Sequence, residues 1–284
     1  MLNKVFKKTQ NLTKTLTNKN QNRIYKNHYL WLPWEPVNIR NEDIFLVSYP
    51  KSGNTYLRFL MANALKLYLD IEREINFFTL EEAIPSIRAK GGSNLRETGP
   101  FGQTNLPRII KSHSAFNRKY KRIIFLTRDP RDTLNSYYYQ VRNYQKRASD
   151  WSFSEFIRKP EFQPKIWADY TRSWCLNKAD SDTNIQIFRY EDFMENPHDN
   201  LEKMMRLLGL SLEPEKIEKA IFLSAKENMK KLEVETASTY RVQANQTPFV
   251  RKGKAEQGQE LKEEDRKYIE QETEEVAKSL GYNY

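Results

Sequence analysis

The stretch Ile44-Phe-Leu-Val-Ser-Tyr-Pro-Lys-Ser-Gly-Asn-Thr-Tyr56 decides the fold. Its first six residues are a largely apolar run without alternation, which suits a β-strand buried on both faces. Pro50-Lys-Ser-Gly-Asn54 breaks that run, and from Thr55 onward Tyr56, Leu57, Phe59, Leu60, Leu65 and Tyr68 recur at helical spacing. Strand, Gly-containing loop and helix follow one another directly. Further apolar runs stand at 108–111, 122–127 and 184–189, with amphipathic stretches at 130–143, 164–178, 197–209 and 261–280. Such alternation predicts an α/β fold with a central parallel β-sheet flanked by helices.

The composition fits that reading. The chain has 284 residues, 38% hydrophobic and 30% charged, so it holds enough apolar material for a sizeable core, and wholesale disorder is excluded. Cys175 is the single cysteine, which excludes an intramolecular disulfide and favours a reducing, cytoplasmic location. No apolar run approaches the ~20 residues that cross a bilayer. Net charge is +10, yet residues 1–34 contain seven Lys or Arg and no acid, so the rest of the chain is nearly balanced. This speaks against a nucleic-acid partner, whose binders concentrate positive charge on the folded face that meets phosphates. Residues 1–28 read as a flexible basic arm and 29–284 as one domain. Within the arm Leu2, Val5, Phe6, Leu12 and Leu16 fall roughly on one helical stripe, which could make weak contact with a membrane surface. The segment 90–107 lacks periodicity, as lids and binding loops often do.

Two stretches carry anion-binding chemistry. In the turn 49–56, backbone N–H groups next to a helix N-terminus make a concave site for a phosphate, with Lys51 adding charge and Ser52 and Thr55 adding hydroxyls. It is not a Walker loop, because Lys51 precedes the only glycine, Gly53. In Thr127-Arg-Asp-Pro-Arg-Asp-Thr-Leu-Asn-Ser-Tyr-Tyr-Tyr139, Arg128 leaves the end of a strand and Pro130 stands where a helix begins. Ser136 lies about two turns into that helix. Ligands of open parallel sheets lie at the carboxyl ends of strands, so Arg128 and Ser136 could hold a second phosphate beside Lys51. The competing reading of Arg128 is a surface pair with Asp132.

These blocks, together with Arg251, Lys252 and Gly253, resemble in order and spacing the PAPS-dependent sulfotransferases of the cytosolic type. The resemblance spans roughly residues 30–284. It implies a single P-loop-like domain and 3′-phosphoadenylyl sulfate (PAPS) as donor, with PAP as product and no metal. It implies further that Lys51, Ser52, Gly53, Asn54, Thr55 and Tyr56 meet the 5′-phosphosulfate, and that Arg128, Ser136 and the 251–253 triplet meet the 3′-phosphate. Tyr56 and Tyr190 would stack on or border the adenine. The sequence departs from the family pattern in four places, one of them Glu256-Gln-Gly-Gln259, which stands where Gly-Asp-Trp-Lys usually follows the 251–253 triplet. Asn54-Thr55-Tyr56 replaces Thr-Thr-Trp, the segment 224–229 lacks the Ser-Phe pair near the base, and no C-terminal dimer motif is recognisable, so the oligomeric state does not carry over.

Lys111-Ser-His113 resembles the family's Lys-Thr-His, in which the histidine is the general base. The residues agree with that role: His113 follows a buried strand beside a lysine, and an ordinary histidine pKa near ~6.5 suits proton abstraction at neutral pH. Lys51 and Lys111 would neutralise charge on the sulfonate and the departing phosphate. The acceptor would be a hydroxyl or amine of a small molecule, lipid or carbohydrate. Phe77, Phe78, Phe101, Trp31, Trp34 and Tyr137–Tyr139 could line an apolar pocket, whereas Arg88, Lys90 and Arg96 would favour an anionic one. Two rivals are a P-loop-type nucleotide phosphotransferase, which should carry a glycine-rich Walker loop, and a non-catalytic nucleotide or polyanion binder, which would not need His113. Glu81, Glu82 and Glu97 are the reserve candidates for a base.

Overall fold

A computed structural model describes residues 38–87, 97–144, 150–175, 182–240 and 261–284. The basic arm, Trp31, Trp34, Arg88, Lys90, Arg96 and the triplet Arg251, Lys252 and Gly253 therefore lie outside the described residues.

Each predicted strand forms. They are β1 (Ile44–Ser48), β2 (Ile109–Ser112), β3 (Arg122–Thr127) and β4 (Asn184–Arg189), arranged in the order β2-β1-β3-β4 with every pair parallel. Along β1 the side chains alternate between two cores, Ile44 and Leu46 to one face and Phe45 and Val47 to the other. All four are apolar, which is why the run shows no polar alternation.

Helices cover both faces. On the first face are α1 (Asn54–Tyr68), the short α2 (Leu80–Ala83), α6 (Tyr190–Glu195), α7 (Pro197–Leu207), α8 (Pro214–Leu223) and part of α9 (Lys226–Tyr240). On the second are α3 (Pro130–Tyr144), α4 (Phe153–Phe156), α5 (Pro164–Cys175) and α10 (Glu263–Ser279). The apolar stripe of α1 explains its position: Leu57, Phe59, Leu60 and Leu65 are all buried in the first core. Proline opens α3, α5, α7 and α8, where its missing N–H costs nothing. The sequence pattern misses α2, α4 and α6, which run four to six residues, too short for a periodic stripe. It also misses α8 and α9. Among the described residues, no helix is long and apolar enough to cross a membrane.

One buried ion pair fixes where β1 and its neighbour β2 start. Arg108 donates from Nε to Asp43 Oδ1 at 2.7 Å and from Nη2 to Asp43 Oδ2 at 2.6 Å, and the backbone N–H of Ile44 donates to Arg108 O at 2.9 Å. Both side chains are buried. Removing one partner of such a pair strands a charge in the interior, at a cost of ~3–5 kcal/mol. Arg108→Ala should therefore lose about that much stability in urea unfolding, and a loss below ~1 kcal/mol would show that the pair does not anchor the sheet.

Candidate active site

A parallel sheet brings the residues that follow its strands to one edge. Here the register pairs Val47 with Ser112, Ser48 with Leu126 and Thr127 with Arg189. The loop 49–53, His113, Arg128 and Tyr190 consequently leave the sheet side by side, although they are far apart in sequence.

The loop after β1 is shaped for an anion. Lys51 has φ 71° and Gly53 φ 96°, and α1 starts at Asn54 with no side chain capping its first turn and no acid in it. The uncapped N–H groups and the positive end of the helix dipole face the loop. Ser52 is fully buried and its hydroxyl has no hydrogen-bond partner, while Asn54 donates to Ser48 Oγ at 3.0 Å. A buried unpaired hydroxyl beside an open helix N-terminus fits the phosphate end of a nucleotide.

Tyr190 ties this loop to the next strand end. A Cβ added to Gly53 would stand 2.2 Å from Tyr190 Cδ2, so glycine is required both by its φ and by the approach of the ring. Tyr56 meets Tyr190 edge to face at 6.2 Å, and the Arg128 guanidinium lies 4.6 Å from the Tyr190 ring centroid. Burial, and then neighbouring Tyr190, push the Tyr56 hydroxyl up to about 12, so it stays a neutral donor. Arg128 does pair with Asp132, at 3.0 Å, but not on the surface: the two side chains are 7% and 2% exposed. A cation held this way at the sheet edge is prearranged for an anionic ligand.

His113 stands on the other side of β1. Lys111 and Ser112 are the last two residues of β2, and His113 follows directly. His113 Nδ1 is 2.7 Å from Ser48 O. A carbonyl only accepts, so Nδ1 carries the proton and Nε2 keeps its lone pair. Burial, then the positive charge of Lys111, followed by Arg58 and Lys51, hold the imidazole well below its usual pKa against the opposing bond to Ser48. The result is a neutral imidazole with a basic nitrogen at neutral pH.

Ser136 is on α3 and partly exposed. Other sequence expectations turn out differently. Phe77 is packed against Phe59, and Tyr137 and Tyr138 are buried among Phe156, Phe162 and Phe153, so these rings are core rather than pocket lining. The reserve bases are engaged: Glu81 with Arg58, Glu82 with Arg73 and Glu97 with Arg40. Arg58 itself escaped the sequence reading. It is buried on α1 and donates to Ile84 O and Glu81, which in turn accepts from Ser86 beside Lys111. Its position in the apolar helix stripe was the available signal. Among the described residues, no group of three or more His, Cys, Asp or Glu is placed to hold a metal ion.

The chain is similar to known proteins in both sequence and fold. Residues 41–281 match the family model described as "Sulfotransferase domain". The chain is 28% identical over 216 residues to sulfotransferase 1B1 of Canis lupus familiaris, covering 70% of each protein. It is 26% identical over 228 residues to sulfotransferase 2A1 of Homo sapiens, covering 76% of each. In structure it resembles retinol dehydratase solved with androsterone and the inactive cofactor PAP, with a TM-score of 0.63 and 18% identity over 87% of this chain and 84% of that one. Mouse sulfotransferase SULT7A1 solved with PAP gives a TM-score of 0.59 at 18% identity over 94% of each chain.

The close approach of Gly53 to Tyr190 is directly testable. Gly53→Ala should destabilise the protein by ~1–3 kcal/mol through its left-handed backbone and displace Tyr190 as well, read as a lower Tm and altered Tyr190 packing in a crystal structure. An alanine variant with unchanged Tm and ring position would refute the contact.

Proposed function

Because the chain belongs to the sulfotransferase family and is a PAPS-dependent sulfotransferase, we propose that His113 is its general base and that the donor spans two anion sites, the loop 51–56 and the Arg128 region. The observation that carries the base assignment is the 2.7 Å hydrogen bond from His113 Nδ1 to Ser48 O, which leaves Nε2 free to take a proton. PAPS, when bound, supplies the sulfonate group and a phosphate as leaving group. His113 Nε2 removes the proton from the acceptor hydroxyl or amine as that atom attacks. Lys51 and Lys111 bring positive charge to the edge where negative charge moves from sulfonate to phosphate. Ser52, Gly53, Asn54 and Thr55 hold the 5′ end through the helix N-terminus, and Tyr56 and Tyr190 border the adenine. Arg128 holds the 3′-phosphate, joined in this reading by Ser136 and by Arg251, Lys252 and Gly253. The acceptor class is a small molecule, lipid or carbohydrate bearing the nucleophile.

Two experiments test this reading. PAP should raise Tm more than AMP at equal concentration, because only PAP fills both anion sites, and Arg128→Ala should erase most of that difference, a loss of ~1.5–3 kcal/mol. Equal stabilisation by AMP and PAP would sink the two-site donor. His113→Ala should keep PAP binding while turnover falls ~10²-fold or more. In the wild type the depressed His113 pKa means that the base is freed of its proton below the ordinary ~6.5, so activity should rise on the acid side and level off by neutral pH. A rise centred above pH ~7 would contradict the base assignment.

A further inference from the structure

We infer that Glu191 and Tyr282 are positioning residues that set Arg128 and Tyr190 for the 3′-phosphate end of the donor, an inference that rests on the reading of Arg128 above. Glu191 follows Tyr190 in α6 and is only partly exposed. One of its oxygens, Oε1, accepts the backbone N–H of Asp129, the residue directly after Arg128, at 3.0 Å. The other, Oε2, accepts the Tyr282 hydroxyl at 3.1 Å. A single carboxylate therefore links the ends of β3 and β4 to the segment Gly281–Tyr284.

That segment grips the same two turns a second time. The Tyr282 ring lies under the Arg189 guanidinium at 4.6 Å, and the Tyr284 ring under Arg131 at 4.9 Å. Arg131 is held in turn by Asp129 and by Glu270 of α10, while the Tyr284 hydroxyl meets Thr273 Oγ1 at 2.7 Å. Asp129, which follows Arg128, and Arg189 and Glu191, which flank Tyr190, are thus held by the C-terminal segment and α10, around the stacked pair of Arg128 and Tyr190. Burial of Glu191 costs solvation, raising its carboxyl above the usual range, and the bonds from Asp129, Tyr282 and the charge of Arg128 only partly offset that. A surface ornament would not need such a carboxylate. Holding a cation within a few tenths of an ångström of its ligand position would.

The test measures donor KM, kcat and the preference for PAP over AMP in the full chain. Glu191→Ala should raise the KM for PAPS roughly ten-fold and shrink the PAP preference, with kcat at saturating donor little changed, whereas Glu191→Gln, which keeps an acceptor for the Asp129 N–H, should restore most of the affinity. Tyr282→Phe, which keeps the ring over Arg189 and loses only the hydroxyl, should show a smaller loss of the same kind and decides the matter if Glu191→Ala does not fold. Arg128→Ala is run alongside. If it weakens PAP but Glu191→Ala and Tyr282→Phe bind PAP as tightly as the wild type, the positioning role is wrong and the reading of Arg128 stands. If Arg128→Ala leaves PAP affinity intact, that reading fails and the positioning role falls with it.

Discussion

In a parallel sheet all strands point the same way, so whatever follows them must leave at the same edge. Everything functional in this molecule depends on that constraint. Four short segments well separated in the chain meet there because the strands stand in the order β2-β1-β3-β4, with β1 and β3 at the centre. Helices lie on both faces, and the two cores hold the strands in register while their carboxyl ends run into the turns that carry these residues. Position in the sheet, rather than proximity in the chain, puts the histidine after β2 beside the loop after β1, and the arginine after β3 beside the tyrosine after β4.

The edge is costly to build. Lys51 and Gly53 both adopt left-handed backbone, and for lysine that conformation costs on the order of 1–2 kcal/mol. The helix behind them starts without a cap, which leaves N–H groups unsatisfied and a serine hydroxyl buried without a partner. Such features persist only where rigid surroundings enforce them. The surroundings here are rigid: the first turns of α1 are anchored by Leu57, Phe59 and Leu60 in the core, and Tyr190 closes over Gly53 with no room for a side chain. The unsatisfied groups are the ones an anionic ligand would complete, so the stability forgone in the free protein is recovered on binding.

Much of this was legible in the sequence. Strands buried on both faces announce themselves as apolar runs of the right length, and the residues that follow each run, Lys-Ser-Gly, His and Arg, are the ones the sheet brings to a common edge. Long-range contacts were not legible. Nothing near Gly53 shows that Tyr190 lies over it, and nothing near Arg128 shows that its pair with Asp132 is sealed inside, because local spacing cannot distinguish an exposed i,i+4 pair from a buried one. The aromatic run Tyr137-Tyr138 reads equally as pocket or core until α4 and α5 are seen to cover it. The four-residue helices fell below what periodicity can detect.

The edge holds His113 as a neutral imidazole whose proton sits on Nδ1, bound to the Ser48 carbonyl, and the proposed base is then Nε2. Neutrality follows from burial beside Lys111, Arg58 and Lys51, and the tautomer follows from the register of β1 and β2. Nitrogen NMR of ¹⁵N-histidine-labelled protein reads both properties directly, and with three histidines in the chain the His113 signals can be assigned by substituting His28 and His198. At pH 7 His113 should show one protonated nitrogen, Nδ1, and one unprotonated nitrogen, Nε2. A doubly protonated ring at that pH, or a proton resident on Nε2, would contradict it.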